Sequence, residues 1–471
     1  MEKSGTILII VYVLSCCSIQ TDAVAAKDEI HDRNRIRPYS ENPMYWQYKG
    51  KPILLLGGSK DDNLFQIPDL KEHLDLLASV GGNYIRNTMS SRNDKGFEVQ
   101  PFKKLSNGKY DLDQWNDEYW NRFENLLKWT NESNIIVQIE IWDRFDYSGE
   151  HWEYCTWNPK NNVNYPYKDS GFLEHYLQHP GKNEQPFFKT VPGLDNNNIL
   201  LEHQKAFVDK LLSYSLKYNN LLYCIDNEFG GDWKWSDYWA GYIKSKAMHA
   251  NKTIEITEMF DNKIEDLFYV IEQRDRYSFV EGNKIFAPQI WAPKGEKQWY
   301  KILELFKAME NYPRPLTMVK LRGTSYYMPG DEIEESEKKY IRALLGGYSA
   351  LRFHRPPSLG LSDPAKAIIS AVRKLENQMK MWEIEPIIGL LKNREVDEAY
   401  LSAKPGEKYA LYFTDGGSVD LDLNGYKQSF KLKWLDLKTG DWGEEMIIKG
   451  GEAVQISAPN KGGWLAAIVR I

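Results

Sequence analysis

The residue best placed for chemistry is Glu228, which follows Asp226 and Asn227 at the end of the apolar run 221–225. A carboxylate at the rim of an apolar element loses hydration, and its pKa rises towards the range of a general acid. Such a group can protonate a leaving oxygen while a second carboxylate works from the other side. The alternative is a plain salt bridge at the start of a loop. Arg86 closes the stretch Asn83-Tyr84-Ile85, where its fork could hold a carboxylate in place. His354 sits between Arg352 and Arg355, a group that could bind hydroxyls or an acid, or could simply be internally satisfied. Trp142, Trp291, Trp233 and Trp235 offer flat faces for stacking, although any one Trp is as easily explained by core packing.

These residues need a scaffold that brings distant segments together. After a polar leader to about residue 40, short apolar strands alternate with amphipathic helices, which argues for a parallel sheet with helical crossovers. Strands are expected at 52–58, 83–87, 135–142, 221–228, 253–258, 278–281, 315–320 and 349–354. Helices are expected at 68–80, 115–131, 198–218, 297–310 and 333–345. Eight units of this kind match a (β/α)8 TIM barrel, in which catalytic groups lie at the C-terminal strand ends. Arg86, Glu228 and His354 all fall there. The polar segment 143–196 is a long loop of the sort that carries function. From about residue 390 the pattern becomes short alternating strands (409–413, 430–435, 464–469) separated by turns such as Asp415-Gly416-Gly417 and Asn424-Gly425. That reads as a C-terminal antiparallel β-sandwich domain. The chain divides into a leader at 1–26, a barrel at 40–388 and the sandwich at 389–471.

Composition narrows the partners. The chain has 471 residues, is 42% hydrophobic and 27% charged, and carries a net charge of -6. Without a basic block, no nucleic acid partner is expected. Sixteen Trp and 29 Tyr suit a protein that stacks rings on sugar faces. Lys3 precedes the apolar run 7–14, which is too short to span a bilayer and has the size of a signal-peptide core. Val13-Leu14-Ser15-Cys16 resembles a lipobox with Cys16 as the acylated residue, while Ala23-Val24-Ala25 is a competing cleavage site. The protein is therefore expected to be exported: a periplasmic or outer-membrane-anchored lipoprotein of a bacterium, or a secreted protein. Membrane association is expected only through a lipid on Cys16. Beyond the leader only Cys155 and Cys224 remain, and one disulfide between them stays open. No CxxC pair occurs, and neither a metal nor an organic cofactor is expected.

Asn-x-x-Arg on strand two, Asn-Glu after strand four and an aromatic–His segment on strand eight together resemble the clan A glycoside hydrolases. Asn42-Pro43, the stretch from Tyr48 to Pro52, and Trp434 with Gly440 are similar to cellulase-like bacterial barrels followed by a β-domain named for collagen binding. The resemblance covers about residues 40–471. It implies that Glu228 is the acid/base, that Asn227 contacts a substrate hydroxyl beside the scissile bond, and that Arg86 supports the site. One departure matters. Retaining enzymes of that clan carry a nucleophilic Glu at the end of strand seven, where this chain has Lys320. Asp62, Asp143, Glu258 and Glu281 are the candidates for a second carboxylate. Lys320 is read either as a partner of an anionic substrate or as a salt-bridge partner of one of those carboxylates. The leading expectation is a glycoside hydrolase acting on an extracellular poly- or oligosaccharide. The alternatives are a non-catalytic carbohydrate-binding protein on a degenerate scaffold and, more remotely, an adhesin.

Overall fold

A computed structural model describes residues 34–90, 92–177, 179–181, 183–261, 264–282, 294–323 and 332–471. The leader, Cys16 and Trp291 therefore lie outside the described residues. Among those described, no helix is long and apolar enough to cross a membrane.

Eight parallel strands form the barrel: β1 (Leu55–Gly58), β2 (Tyr84–Thr88), β3 (Ile136–Asp143), β4 (Leu221–Asn227), β5 (Glu255–Thr257), β6 (Val280–Glu281), β7 (Leu316–Leu321) and β8 (Ala350–Phe353). They pair in the order β5-β4-β3-β2-β1-β8-β7-β6. The seam between β5 and β6 is bridged by Ser278 N donating to Ile256 O (2.9 Å) and by Thr257 Oγ1 donating to Phe279 O (2.7 Å). Each strand is followed by a helix: α1 (Leu70–Ser79), α2 (Asp117–Glu132), α3 (Asn198–Ser215), α4 (Trp233–His249), α5 (Ile264–Glu272), α6 (Gly295–Ala308), α7 (Glu332–Leu345) and α8 (Asp363–Gln378). The fold is a (β/α)8 barrel.

Local sequence explains much of this. Asn116, Asn197 and Asp232 cap α2, α3 and α4 by accepting from backbone N–H groups two or three residues on. Gly57 is needed on β1, because a Cβ there would fall 1.8 Å from the carbonyl oxygen of Tyr84 on β2. Inside the barrel, Leu55, Tyr84, Ile136, Leu222, Cys224, Phe279, Val319 and Ala350 pack into one core. Trp46 joins that core from a three-stranded antiparallel layer (Arg37–Pro38, Trp46–Tyr48, Lys51–Ile53). Polar groups then collect above, at the C-terminal mouth.

The expected strand 52–58 proves to be two elements, the end of that layer and β1. Pro52 and the change of direction at Leu54 divide an apolar run that periodicity alone reads as continuous. Helices α4, α5 and α8 were absent from the expected set; α4 carries apolar and aromatic residues around much of its circumference, which hides its period. Cys155 and Cys224 are both free and buried, so the open disulfide does not form.

Beyond α8, two antiparallel sheets face each other. One contains Ala399–Lys404, Lys408–Phe413, Trp464–Arg470, Ser429–Asp436 and Trp442–Lys449; the other contains Leu391–Lys392, Ser418–Asp422 and Ala453–Ser457. Leu401, Phe413, Leu421, Trp434, Ile456 and Ile468 from both sheets make their shared core. Lys374 on α8 donates to Asp441 (2.8 Å), and Arg342 on α7 reaches Asp397 (3.2 Å), so the sandwich is tied to the barrel wall.

Candidate active site

Two backbone irregularities shape the mouth. Glu228 leaves β4 with φ +66°, a left-handed conformation that is costly for a residue with a Cβ. On β7, Met318 and Leu321 pair with Leu351 and Phe353, so three steps on one strand oppose two on the other. This is a β-bulge, and Lys320 lies within it. Lys320 Nζ reaches Glu228 Oε1 at 2.5 Å and also donates to Asn227 Oδ1. Arg144, just beyond β3, places Nη2 3.7 Å from the other Glu228 oxygen and pairs with Asp261. Its Nη1 donates to Gly181 O (3.2 Å), which anchors the long loop. Asn227 Nδ2 donates to Asp143 Oδ1 at 3.0 Å, and Asp143 is also paired with Arg92. Phe145 lies against both the Arg92 and Arg144 guanidinium groups.

The β1 arc is organised around Asp62. Arg86 is fully buried and donates to Asp62 Oδ1 (2.6 Å) and to Glu140 Oε1 (2.5 Å). Arg355 Nε donates to Asp62 Oδ2 at 2.6 Å, and Arg352 lies 3.5 Å from Oδ1. Burial alone would raise the Asp62 carboxyl, but the charges of Arg86, Arg355 and Arg352 hold it well below the usual carboxylate range. Burial opposes the charge on Arg86 too, and Asp62 with Glu140 more than restores it. His354 is pushed well below its ordinary range by burial and is neutral at neutral pH, with Nδ1 buried and without a hydrogen-bond partner among the described residues.

The β5 arc differs. Glu258 accepts from Asp226 N (3.0 Å), Met259 N (2.8 Å) and Ser236 Oγ (2.5 Å), and no ion pair to it is present among the described residues. Burial pushes its carboxyl from 4.5 up to about 8. Neighbouring Asp226 is raised well above its usual range by burial and by the Glu258 charge. On β6, Glu281 accepts from Thr317 Oγ1 (2.8 Å) and Val319 N (3.4 Å).

The structure thus brings Glu228, Asn227, Lys320, Asp143 and Arg86 to one mouth, with Asp62, His354 and Arg355 on its β1 side. Each candidate second carboxylate is already engaged: Asp62 and Asp143 by arginines, Glu258 by Ser236 and backbone, and Glu281 by Thr317. Trp142 corrects an expectation. It is 3% exposed and packs among Trp157, Phe187, Phe207 and Trp239, leaving no face for a sugar. Trp235 is likewise buried, whereas Trp233 is 36% exposed and stacks on Tyr269 at 4.0 Å. Sequence reasoning missed Arg92, Glu140, Arg144 and Asp261; the charged run Glu140, Asp143, Arg144 at the end of β3 was the available signal. His175 and His179 have four-residue spacing, but His175 contacts Glu153 and His179 accepts from Gly181 N. No metal-holding group of side chains occurs among the described residues.

Fold and mouth together define a (β/α)8 barrel with an ionised C-terminal face and an appended β-sandwich. Solved structures share that architecture. A glycoside hydrolase family 5 protein from Bacteroides vulgatus aligns with a TM-score of 0.63 at 10% identity, over 93% of this chain and 94% of its own. A structure described as a glycoside hydrolase gives 0.63 at 11% identity, over 93% and 98%. A proposed glycoside hydrolase, also from Bacteroides vulgatus, gives 0.59 at 10% identity, over 94% and 83%. At such identities the likeness establishes the fold. No protein-family model matches the sequence, and no curated protein matches it either.

Proposed function

We propose that this protein is a glycosidase that acts outside the cytoplasm on an oligo- or polysaccharide, with Glu228 as its general acid/base. The observation that carries this reading is the placement of Glu228. It stands in a left-handed turn at the end of β4, 7% exposed, beside Asn227 and among charged groups from β2, β3 and β7. The kinship in fold with glycoside hydrolases favours a sugar as the ligand of that mouth. Lys320 and Arg144 flank Glu228, which favours a glycan bearing negative charge. A substrate anion that draws the Lys320 ammonium towards itself would leave Glu228 able to carry the proton hydrolysis requires. The leader supports export, and acylation of Cys16 would hold the protein at a membrane surface.

The test is a Glu228→Gln variant assayed on a glycan panel. Cleavage should fall by roughly 10²- to 10⁴-fold, the usual contribution of general acid–base catalysis. A variant as fast as the parent would sink the assignment.

A second reading, a carbohydrate-binding protein without turnover, is favoured by a specific observation. The strand-seven position holds Lys320 in an ion pair with Glu228, and the other candidate carboxylates have partners of their own. Saturable glycan binding with no product released from neutral or acidic glycans would establish it.

A further inference from the structure

Hydrolysis needs Glu228 protonated, yet an ammonium 2.5 Å away favours the ionised carboxylate. The pair as it stands is a base, Glu228 carboxylate, hydrogen-bonded to an acid, Lys320 ammonium. We infer that the Lys320–Glu228 pair at the barrel mouth gives this protein a second way to break a glycosidic bond, β-elimination from 4-O-linked uronates. The inference rests on the reading that a glycan binds at Glu228.

The chemistry balances without water or cofactor. In a uronate the C5 proton is acidic because the C6 carboxylate is attached to the same carbon, and O4 leaves from the adjacent carbon. Glu228 removes the C5 proton, the C5–H electron pair forms the C4=C5 double bond, and the C4–O4 bond breaks towards oxygen. Lys320 gives its proton to O4. The products are a new hydroxyl end and a 4,5-unsaturated uronate. Glu228 is then neutral, Lys320 is an amine, and one proton transfer along their existing hydrogen bond restores the starting pair. A syn elimination has its proton and leaving oxygen on one face of the ring, so base and acid must be neighbours. Lys320 Nζ and Glu228 Oε1 meet that demand at 2.5 Å. The guanidinium of Arg144, buried against Asp261 and 3.7 Å from the other Glu228 oxygen, is a second cation beside the base, and its charge favours a sugar carboxylate at this mouth. A neutral glycan has neither the acidic proton nor the carboxylate, so this route excludes it.

The experiment incubates the full chain in heavy-oxygen water with a mannuronate-rich alginate and a glucuronan, in both of which the C5 proton and O4 share one face of the ring, alongside a panel of neutral glycans. The expected result is the ultraviolet absorbance of the unsaturated uronate, with no heavy oxygen in the products. Lys320→Arg keeps the positive charge but yields its proton far less readily. It should therefore lose the unsaturated product by roughly 10²-fold or more, while uronate binding, followed by calorimetry, persists. Saturated ends carrying heavy oxygen would overturn the inference and leave the glycosidase reading intact. So would cleavage confined to neutral glycans. No cleavage of either class would overturn both, and an undiminished unsaturated product from Lys320→Arg would remove Lys320 as the acid.

Discussion

Asp62 and Glu258 stand on opposite arcs of the mouth, after β1 and β5, which are four strands apart in the barrel order. Both are nearly buried, at 6% and 1% exposure. Asp62 is ringed by Arg86, Arg352 and Arg355 and held ionised; among the described residues Glu258 accepts from a hydroxyl and two backbone N–H groups, and burial takes it up to about 8. Burial therefore does not decide the protonation of these carboxyls. The presence of formal positive charge beside them does, because hydrogen bonds from neutral donors recover only part of the lost hydration. Glu228 has Lys320 at bonding distance and Arg144 further out.

The comparison breaks most severely at Arg86, the cation shared by Asp62 and Glu140. Arg86→Met should cost about 3–5 kcal/mol in urea unfolding, since it removes the cation paired with buried Glu140 and one of those around Asp62. A loss below about 1 kcal/mol would mean that Arg352 and Arg355 suffice. The pH dependence sharpens the contrast next. Glu258 has a folded value near 8, above its ordinary 4.5, so the native state binds the extra proton between those values and stability falls as pH rises through that window. The slope is at most about 1.4 kcal/mol per pH unit for one group. Asp62 acts oppositely: its depressed folded value gives stability that is present above its unfolded value of about 4 and lost as pH falls through the folded one. Glu258→Gln should flatten the decline between pH 5 and 8, read from urea midpoints; an unchanged slope would refute the assignment. Below about pH 4, where the carboxyl is mostly neutral in the folded and unfolded chains alike, that variant should cost only about 1 kcal/mol, because it replaces a neutral acid by a neutral amide. The smallest effect is expected from Arg355→Ala. Its side chain is about one-third exposed and Asp62 keeps Arg86, so the loss should stay within about 1 kcal/mol.

The barrel was legible because strands buried on both sides read as apolar runs, and helices such as α2 show their period. Glu228 was legible for the same reason, as the polar residue that ends an apolar strand. Its partners were not. Lys320 meets Glu228 from a stretch of β7 whose register shifts between Met318 and Leu321, and a one-residue slip of register leaves no mark in composition. Arg144 and Asp261 meet from loops that follow different strands, and Trp142 at a strand end looks the same in sequence whether it faces a cleft or a core.

By itself the sequence determined the order of strands and helices, the change to an antiparallel domain near residue 390 and the position of Glu228 at a strand end. Each of these follows from local periodicity and from the demand that apolar faces be covered. The tertiary structure alone decided which charge each carboxyl meets. Asp62 draws its cations from β2 and from the end of β8, Glu258 draws none among the described residues, and Glu228 meets the lysine where a second carboxylate was expected. Electrostatic energies depend on distances of a few ångströms between segments far apart in the chain, and only closure of the barrel sets those distances.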